Sequence, residues 1–455
     1  MADFEELAGL LPAGRVVADP DVVASYARDR TFLEPGVPGA VVRAREAADV
    51  VATLRWANRH RVPVVPRGAG TGLSGGALAV DGCVVLSLSG MDAVREVDPA
   101  NALAVAEPGV ITADLDRAAR AHGLMYAPDP SSHEISTIGG NLATNAGGLR
   151  CVKYGVTRDS VLGLEAVLAD GRVVHTGGRT VKGVTGYDLT GLLVGSEGTL
   201  GVITAATLRL RPVPPAPATV LALFASTRRA ADAVAGIVAA GVQPSLLELI
   251  DRPTLRAIDA WKRIDLDPDT GAVLIAQSDA ADPRGPAAEI ARCCERAGAA
   301  HTEVSSDPQE AVALLELRRL AYPAAERLGA CLVEDVCVPR SRLAEMFEAI
   351  EAAADRHGVT ILTVAHAGDG NLHPVFVFDR GEAGAPDVPE AVWTAADEVF
   401  TTALGLGGTL TGEHGVGALK RRWIGRELGP DGLALHRAIK HAFDPAGILN
   451  PGKVF

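Results

Sequence analysis

Apolar positions in the first half of the chain follow two patterns, one with helical spacing and one of short continuous runs. The helical spacing predicts helices over residues 45–61 and 112–122. Asp170-Gly171 lies between two apolar runs and is a strong signal for a β-hairpin. The β-branched runs predict strands over residues 62–66, 83–88, 161–168, 172–176 and 200–211.

A proline-rich stretch at residues 211–217 separates this half from a region with a different rhythm, and we expect it to be a stiff linker. Strands are predicted over residues 219–224, 272–276, 331–338, 360–366 and 372–378, and helices over 228–240, 285–298, 308–321, 341–356 and 388–404. This alternation indicates an α+β domain whose sheet is covered by helices. We therefore expect domains at 1–212 and 213–410, and a C-terminal segment, 411–455, that returns to the first domain.

Composition and charge narrow the class of protein. The 455 residues exceed one ordinary core, and a net charge of −13 without a dense Lys/Arg run speaks against a nucleic-acid partner. Six scattered cysteines form no CxxC pair, so neither an iron–sulfur cluster nor a disulfide framework is expected. No uncharged apolar run of about 18 residues is present, and the N-terminus lacks the basic start of a signal peptide. We expect a cytoplasmic protein with no transmembrane segment, and peripheral membrane contact is left open.

The densest chemical signal of the first half is the sequence Pro66-Arg-Gly-Ala-Gly-Thr-Gly-Leu-Ser-Gly-Gly76. It contains a GxGxxG pattern at Gly70, Gly72 and Gly75, which in a Rossmann fold opens a helix. Here a predicted strand follows the loop, so the Rossmann interpretation lacks its structural context. A long glycine loop can instead wrap a pyrophosphate with its backbone N–H groups, and a purely structural turn is the simpler alternative.

Two further glycine-rich segments, 128–148 and 195–201, contain small hydroxyl and amide residues that suit close backbone contact with a ligand. In this order, the three segments resemble the FAD domain of the vanillyl-alcohol oxidase/p-cresol methylhydroxylase superfamily. The resemblance implies an α+β fold in which a two-part FAD-binding domain, 1–212, is joined to a second α+β substrate domain, also called a cap domain.

The same resemblance implies which residues contact FAD. Residues 66–76 would cradle the pyrophosphate, and residues 129–148 and 195–203 would hold the flavin and adenine portions. Covalent members carry a histidine at the position of Thr71, so we expect FAD to bind non-covalently. The implied cofactor-binding residues in these segments are Pro66, Arg67, Gly68, Ala69, Gly70, Thr71, Gly72, Leu73, Ser74, Gly75, Pro130, Ser131, Thr137, Ile138, Gly139, Gly140, Asn141, Thr144, Asn145, Gly147, Gly148, Glu197, Gly198, Gly201 and Ile203.

A candidate metal site lies in the second half, where His366-Ala-Gly-Asp-Gly-Asn-Leu-His373 separates two apolar runs. If Asp369-Gly370 forms a two-residue hairpin turn, His366 faces His373 with Cβ atoms about 4.5–5.5 Å apart. Two imidazoles at that spacing can bind one metal ion, although a pair of ordinary strand histidines fits the same sequence.

Glu413 and His414 lie between glycines in the sequence Gly412-Glu-His-Gly-Val-Gly417. A carboxylate added to two histidines leaves an open coordination position, which is typical of catalytic metal sites. Adjacent side chains point in different directions, so Glu413 can face a metal while His414 acts as a base. The alternative is that His414 caps a loop.

These motifs, together with the terminal sequence Phe443-Asp-Pro-Ala-Gly-Ile-Leu-Asn-Pro-Gly-Lys453, resemble a second, narrower family over most of the chain, from residue 38 to residue 455. It comprises the flavin subunit of glycolate oxidase and the FAD-linked D-lactate and D-2-hydroxyglutarate dehydrogenases. The resemblance implies that His366, His373 and Glu413 bind a divalent metal, with zinc the expected ion. It also implies that His414 is the general base and that Asn450 returns to the flavin.

An arginine suits a substrate carboxylate because its guanidinium forms a bidentate fork. The resemblance assigns this role to Arg318, although Leu315 stands where the family has Trp, and it leaves Arg319 on the opposite side. The hydroxyglutarate enzymes have Lys and Asn at the positions of Val333 and Val375. These two departures favour a smaller monocarboxylate as substrate.

The expected activity is FAD-dependent oxidation of a small 2-hydroxy acid, D-lactate or glycolate, to the 2-keto acid. The metal would assist proton abstraction by His414 while hydride passes to flavin N5. The electron acceptor is left open between a quinone, a cytochrome and a partner subunit, and a homodimer is compatible with the sequence. Alternatives are a D-2-hydroxyglutarate dehydrogenase, an NAD-dependent Rossmann dehydrogenase, a zinc-dependent hydrolase and a non-catalytic subunit of a larger oxidase.

Overall fold

A computed structural model describes residues 4–379 and 388–455, so the first three residues of the acidic N-terminus lie outside the described residues. The chain divides into two compact units. The first comprises Met1–Gly147, Val156–Val213 and Glu413–Phe455, and the second comprises Gly148–Gly155 and Pro214–Gly412. The chain therefore passes from the second unit back to the first at the peptide bond between Gly412 and Glu413.

The helices are α1 (Phe4–Gly9), α2 (Pro20–Ser25), α3 (Ala47–His60), α4 (Thr112–Arg120), α5 (Ile138–Thr144), α6 (Cys151–Tyr154), α7 (Leu189–Leu193), α8 (Thr227–Ala239), α9 (Arg252–Lys262), α10 (Arg284–Arg296), α11 (Pro308–Arg319), α12 (Ala321–Leu328), α13 (Leu343–His357), α14 (Glu390–Gly405) and α15 (Ile424–Phe443). Helix α15 has a kink at Gly429, where φ is 65° and Pro430 follows. Of the helices that the structure describes, none combines the length and the apolar character that crossing a bilayer requires.

The strands are β1 (Val16–Val17), β2 (Ala40–Arg43), β3 (Val64–Arg67), β4 (Val84–Ser87), β5 (Val94–Asp98), β6 (Leu103–Ala106), β7 (Leu124–Met125), β8 (Val161–Val167), β9 (Val173–Gly177), β10 (Val202–Arg209), β11 (Arg211–Pro212), β12 (Ala218–Phe224), β13 (Leu246–Asp251), β14 (Ala272–Ser278), β15 (His301–Ser305), β16 (Ala330–Val333), β17 (Val336–Cys337), β18 (Thr360–His366) and β19 (Asn371–Phe378). The predicted α+β class is thereby confirmed.

The first unit is built around two sheets. In the described part of the chain, one sheet has the order β1-β2-β4-β3, with β2, β4 and β3 parallel, and the other has the order β5-β6-β10-β8-β9 and is antiparallel. Trp56 on α3 is buried in the core that covers the first sheet. The predicted hairpin is present as β8 and β9, where Val167 pairs with Val173.

The second unit contains one large antiparallel sheet with the order β15-β12-β14-β13-β18-β19-β16 in the described residues, and β17 also pairs with β19. Segment 148–155 packs on this unit: a Cβ at Gly368 would lie 2.5 Å from Val152 Cγ2, and Tyr154 donates to Asp279 Oδ2 at 2.5 Å. Strands β13 and β15 and helix α9 were not predicted from the sequence. Strand β13 is buried at all six positions, so it has no polar–apolar alternation to reveal it.

Asp251 joins the end of β13 to the start of α9 and to the neighbouring strand β18. Its carboxylate accepts the Thr254 N–H at 2.9 Å as a helix cap and the Thr363 N–H at 2.8 Å. The residue is 3% exposed, and desolvation by burial raises the pKa of its carboxyl to about 7, against the lowering effect of these hydrogen bonds. The folded state therefore binds a proton at Asp251 more tightly than the unfolded chain does.

We expect the variant Asp251→Asn to change how stability depends on pH. Because the folded-state pKa lies above the usual value, the wild type loses stability as pH rises towards 7, whereas Asn cannot titrate. Between about pH 5 and about pH 8 the free energy of unfolding of the variant should rise relative to that of the wild type by on the order of 2–3 kcal/mol. Melting temperatures of both proteins across this range test the expectation, and parallel pH profiles would contradict it.

Candidate active site

The first glycine-rich loop connects β3 to β4, which are parallel neighbours in the four-stranded sheet. Between Arg67 and Val84 the structure forms turns and bends without a helix. The GxGxxG pattern at Gly70, Gly72 and Gly75 thus lacks the strand–loop–helix unit of a Rossmann site, as expected from the sequence. Gly70 and Gly75 have φ of 74° and 81°, values that favour glycine.

The backbone N–H groups of this loop indicate a ligand-binding loop rather than a self-contained turn. Within the described residues, no N–H from Gly68 to Gly75 donates an intramolecular hydrogen bond. Most of this loop is partly exposed, so its run of N–H donors is accessible to a ligand. A Cβ at Gly72 would have no atom within 4 Å, so space lies open beside this part of the loop. These features are typical of a loop that wraps an anion.

The three glycine-rich segments converge within the first unit. A Cβ at Gly68 would lie 2.4 Å from Thr137 Oγ1, and one at Gly198 would lie 3.1 Å from Pro66 Cγ. The side-chain amide of Asn450 donates to the Gly76 carbonyl at 2.9 Å and to the Glu197 carbonyl at 2.7 Å. Asn450 therefore ties the C-terminal turn to two of the glycine segments.

The residues predicted to bind the cofactor lie as follows. The first segment comprises the end of β3, with Pro66 and Arg67, and the loop after it, with Gly68, Ala69, Gly70, Thr71, Gly72, Leu73, Ser74 and Gly75. The second segment is built around α5: it is preceded by Pro130 and Ser131, capped by Thr137, formed in part by Ile138, Gly139, Gly140, Asn141 and Thr144, and followed by Asn145, Gly147 and Gly148, the last of which begins the segment belonging to the second unit. The third segment comprises Glu197, Gly198 and Gly201 before β10, and Ile203 on β10. Ile138, Asn141 and Ile203 are among the buried members of this set, and the amide of Asn141 donates to Thr112 Oγ1 at 2.7 Å. These three therefore support the segments on which the other residues stand.

Glu197 has a second role that the sequence did not suggest. Its carboxylate accepts the Val416 N–H at 2.8 Å and the Gly417 N–H at 2.9 Å, directly after the Glu413-His414 pair. Burial raises the pKa of this carboxyl to about 7, and the two hydrogen bonds oppose that shift. A Cβ at Gly415 would lie 2.9 Å from Glu197 Oε1, which explains the glycine at this position. A protein carboxylate therefore lies directly against the backbone at Gly415.

The segment that carries Glu413 and His414 is also fixed to the first glycine loop. Ser74 Oγ donates to the His414 carbonyl at 2.9 Å, and the Ala418 N–H donates to the Ser74 carbonyl at 3.0 Å. A Cβ at Gly147 would lie 2.4 Å from Glu413 Oε2. The first unit thus brings Glu413 and His414 next to two of its glycine-rich segments.

The hairpin of the second unit forms with a register that differs from the predicted one. His366 pairs with Asn371, and His373 pairs with Val364, so the turn has four residues, 367–370. The prediction that His366 directly faces His373 is therefore wrong by two residues. A type I′ two-residue turn needs positive φ at both Asp369 and Gly370, and only Gly370 has it, with φ of 82°.

The two-residue shift leaves both histidines on the same face of the hairpin because side-chain direction repeats every two residues. Their ring centroids lie 4.9 Å apart at an angle of 81°, and both residues are 6% exposed. In the described part of the chain, His366, His373 and Glu413 form a group whose ligand atoms all lie within 4.8 Å of one another. Two imidazoles and one carboxylate are a suitable ligand set for a divalent transition metal.

Glu248 on β13 is the main residue of this region that the sequence analysis missed. It is 0% exposed, its Oε1 lies 2.7 Å from His366 Nδ1, and its Oε2 accepts the Arg318 Nε–H at 2.8 Å. The predicted arginine thus lies one carboxylate away from a predicted metal ligand. Arg319 is exposed, in agreement with its expected position on the opposite side. An acidic residue inside the apolar run Leu246-Leu-Glu-Leu-Ile250 was the available signal, because buried carboxylates need a partner.

A second buried carboxylate fixes the end of the second unit. Asp335 accepts the Gly412 N–H at 2.7 Å and the Thr411 hydroxyl at 2.9 Å. A Cβ at Gly412 would lie 2.5 Å from Asn371 Nδ2, so Gly412 lies directly against the hairpin. The next residue along the chain is Glu413.

Comparisons with known proteins identify the family of this chain. The family model for FAD linked oxidases, C-terminal domain, matches residues 213–454, and the model of an FAD binding domain matches residues 38–177. This chain belongs to the FAD-linked oxidases. It is therefore an FAD-linked oxidoreductase.

Curated relatives of this FAD-linked oxidase align over nearly its full length. The glycolate oxidase subunit GlcD of Bacillus subtilis is 44% identical over 451 residues, covering 97% of this chain and 93% of the relative. A D-lactate dehydrogenase of Archaeoglobus fulgidus is 39% identical over 421 residues, covering 91% of this chain and 90% of the relative.

Solved structures show the same fold at low sequence identity. A substrate-bound p-cresol methylhydroxylase has a TM-score of 0.78 at 18% identity, covering 99% of this chain and 95% of that one. A 4-ethylphenol oxidase from Gulosibacter chungangensis has a TM-score of 0.78 at 20% identity, covering 99% and 96%. The predicted p-cresol methylhydroxylase type of fold is confirmed.

The residues of the oxidase's first unit fit FAD. The donors from Gly68 to Gly75 suit the two phosphates of a pyrophosphate, and the open space beside Gly72 leaves room for them. Positive φ at Gly70 and Gly75 gives the loop turns that residues with a side chain rarely adopt. We therefore expect this loop to contact the cofactor through its backbone.

We expect the variant Gly72→Ala to weaken FAD binding by about 10-fold to 100-fold, because the added methyl group would occupy the space of the phosphates. The substitution meets no protein atom within 4 Å, so the melting temperature of the FAD-free protein should stay unchanged. A matched control is Gly405→Ala at the end of α14, where a Cβ also meets nothing within 4 Å. FAD affinity can be measured by quenching of flavin fluorescence, and equal affinities for both variants would exclude this loop from the binding site.

Proposed function

We propose that this FAD-linked oxidase converts a small 2-hydroxy acid, D-lactate or glycolate, to the corresponding 2-keto acid. The observation that carries the proposal is the association of a metal-ligand group with a half-buried arginine, Arg318, through one carboxylate, Glu248. A hydroxy acid offers a hydroxyl oxygen for a metal and a carboxylate for an arginine, so this pair of features matches its two functional groups. The names of the glycolate oxidase and D-lactate dehydrogenase relatives support the same substrate class.

His366, His373 and Glu413 would hold the divalent cation, and zinc suits two imidazoles and a carboxylate with one position left open. When bound, FAD supplies the two-electron acceptor, and the cation supplies Lewis acidity that lowers the pKa of the substrate hydroxyl. His414, next to Glu413 in the chain, accepts the hydroxyl proton. Its backbone is held by Ser74, which keeps the imidazole close to the cofactor loop.

Arg318 orients the substrate by binding its carboxylate. Its Nε is committed to Glu248, and its terminal nitrogens make no hydrogen bond to the residues that the structure describes. Those two nitrogens can therefore donate a bidentate pair of hydrogen bonds to a carboxylate. The side chain is 13% exposed, so such a pair forms in a partly desolvated environment and is stronger than at a surface.

The hairpin side of the sheet presents an apolar pair of side chains, which favours a substrate with one carboxylate. Val333 pairs directly with Val375, and Val375 lies two positions from His373 on the same face of β19. This pair offers no charge or hydrogen bond to a second substrate carboxylate, which supports a monocarboxylate over 2-hydroxyglutarate. Thr71, in the place of the histidine of covalent relatives, supports non-covalent FAD. The final electron acceptor is proposed to be a quinone, a cytochrome or a partner subunit.

We expect anaerobic addition of D-lactate or glycolate to bleach the visible flavin absorbance, with L-lactate and D-2-hydroxyglutarate as comparison substrates. The variant His414→Asn should retain FAD and slow this reduction by about 100-fold to 10,000-fold, because the proton acceptor is lost. Stopped-flow absorbance measures both rates. Bleaching by D-2-hydroxyglutarate alone would favour the dicarboxylate enzyme, and ester hydrolysis without bleaching would favour the hydrolase.

We expect the variant Arg318→Lys to lower kcat/KM for the best hydroxy acid by on the order of 100-fold, mainly through a higher KM, because lysine cannot make the bidentate contact. The neighbouring variant Arg319→Lys is a matched control, since Arg319 is exposed, and it should keep kcat/KM within about a factor of two. Steady-state kinetics with an artificial acceptor measures both. Equal effects of the two substitutions would contradict the role of Arg318.

A further inference from the structure

Glu248 lies in the middle of the large sheet of the second unit and is wholly enclosed. Strand β13 runs between β14 and β18, and Glu248 pairs with Ile275 on one side and with His366 on the other. Its side chain has no exposed surface, and each of its oxygens has a different partner. Oε1 lies 2.7 Å from His366 Nδ1, and Oε2 accepts the Arg318 Nε–H at 2.8 Å.

We infer that Glu248 is a positioning residue that fixes both the tautomer of His366 and the orientation of Arg318. The inference rests on the proposed function, because it assigns His366 to a metal and Arg318 to a substrate carboxylate. It goes further by naming a single group on which the two binding functions jointly depend.

Glu248 determines which ring nitrogen of His366 carries the proton. A carboxylate has only acceptors, so the hydrogen bond to His366 places the proton on Nδ1. The lone pair of a neutral imidazole is then on Nε2, so Nε2 is the nitrogen that can act as a metal ligand. Carboxylate–histidine pairs of this kind orient metal ligands, and their loss commonly weakens metal binding about 10-fold to 100-fold.

Glu248 also determines the orientation of the Arg318 guanidinium. The hydrogen bond from Nε fixes the guanidinium plane of Arg318, whose side chain is 13% exposed. The N–H groups of Nη1 and Nη2 are then available as the fork that a carboxylate requires. Because both partners are attached to one rigid strand residue, the distance between the metal ligand and the carboxylate-binding group is fixed as well.

The substitution Glu248→Gln distinguishes a positioning role of Glu248 from a role in packing alone, because it nearly preserves the shape of the side chain and changes its hydrogen bonding. An amide has one acceptor and one donor group, whereas both partners of Glu248 require an acceptor. If the amide oxygen faces Arg318, its NH₂ faces His366, which forces the proton onto Nε2 and blocks metal binding. If the oxygen faces His366, the NH₂ opposes the Arg318 Nε–H and displaces the guanidinium. The substitution Glu248→Gln therefore has to impair at least one of the two functions while nearly preserving shape.

The experiment uses FAD-loaded wild type, Glu248→Gln and the control Asp251→Asn. Asp251 is a buried carboxylate at the end of the same strand, and its hydrogen bonds go to Thr254 and Thr363. Zinc affinity is measured by equilibrium dialysis in metal buffers, and KM for the best hydroxy acid is measured in parallel. We expect Glu248→Gln to bind zinc about 10-fold to 100-fold more weakly, to raise KM about 10-fold or to do both, with FAD content unchanged. The control should match the wild type in zinc affinity and KM.

Wild-type zinc affinity together with wild-type KM in Glu248→Gln would overturn the inference. If the wild type itself binds no zinc, the metal part of the proposed function fails, and an unchanged KM in the variant then overturns the role of Glu248 separately. Glu248→Asp serves if the glutamine variant does not fold. Its shorter side chain keeps the acceptors but cannot contact both partners, so it too must change zinc affinity or KM, and wild-type values for both would again overturn the inference.

Discussion

The arrangement of this oxidase depends on buried carboxylates that accept hydrogen bonds from the backbone of one short segment. Residues 411–417 carry Glu413 and His414, and this segment is anchored in each unit by an acid. Asp335 holds the Gly412 N–H in the second unit, and Glu197 holds the Val416 and Gly417 N–H groups in the first. A buried carboxylate is costly unless its oxygens are satisfied, so each acid also requires the segment to keep its conformation. The same conformation of residues 411–417 therefore satisfies the buried carboxylates and sets the positions of Glu413 and His414.

The glycines of the segment follow from the same constraint. A Cβ at Gly412 would meet the Asn371 amide, one at Gly415 would meet the Glu197 carboxylate, and one at Gly417 would lie 2.0 Å from the Ser74 carbonyl oxygen. Gly415 and Gly417 also have φ of 86° and 51°. The backbone is thus pressed against polar partners on several sides, and only residues without a side chain allow that approach. The first glycine loop differs, because in the part of the chain that the structure describes the N–H groups of residues 68–75 have no protein acceptor.

Sequence patterns predicted the parts of the molecule that rest on local information. The context of the GxGxxG pattern separated a cofactor loop from a Rossmann turn, and the spacing of His366 and His373 identified a pair on one face. The register of that hairpin was wrong because Asp369-Gly370 favours a two-residue turn, whereas the pairing of Val338 N–H with the Gly370 carbonyl ties the turn to another strand. Glu248 and strand β13 were missed for a related reason. A strand that is buried on both faces has no alternation, and the partners of Glu248 are 70 and 118 residues away.

The proposed site combines two kinds of coupling, one through the chain and one through a side chain. Glu413 and His414 are adjacent, so any movement of their segment displaces a metal ligand and the base together. His366 and Arg318 are far apart in sequence, and Glu248 couples them by giving each one of its oxygens. In the proposed function, a hydroxy acid would offer its hydroxyl oxygen to a cation held by His366 and its carboxylate to Arg318, the two residues that Glu248 couples. Because hydride transfer tolerates little misplacement of the reacting carbon, such shared supports suit this chemistry better than four independently held residues would.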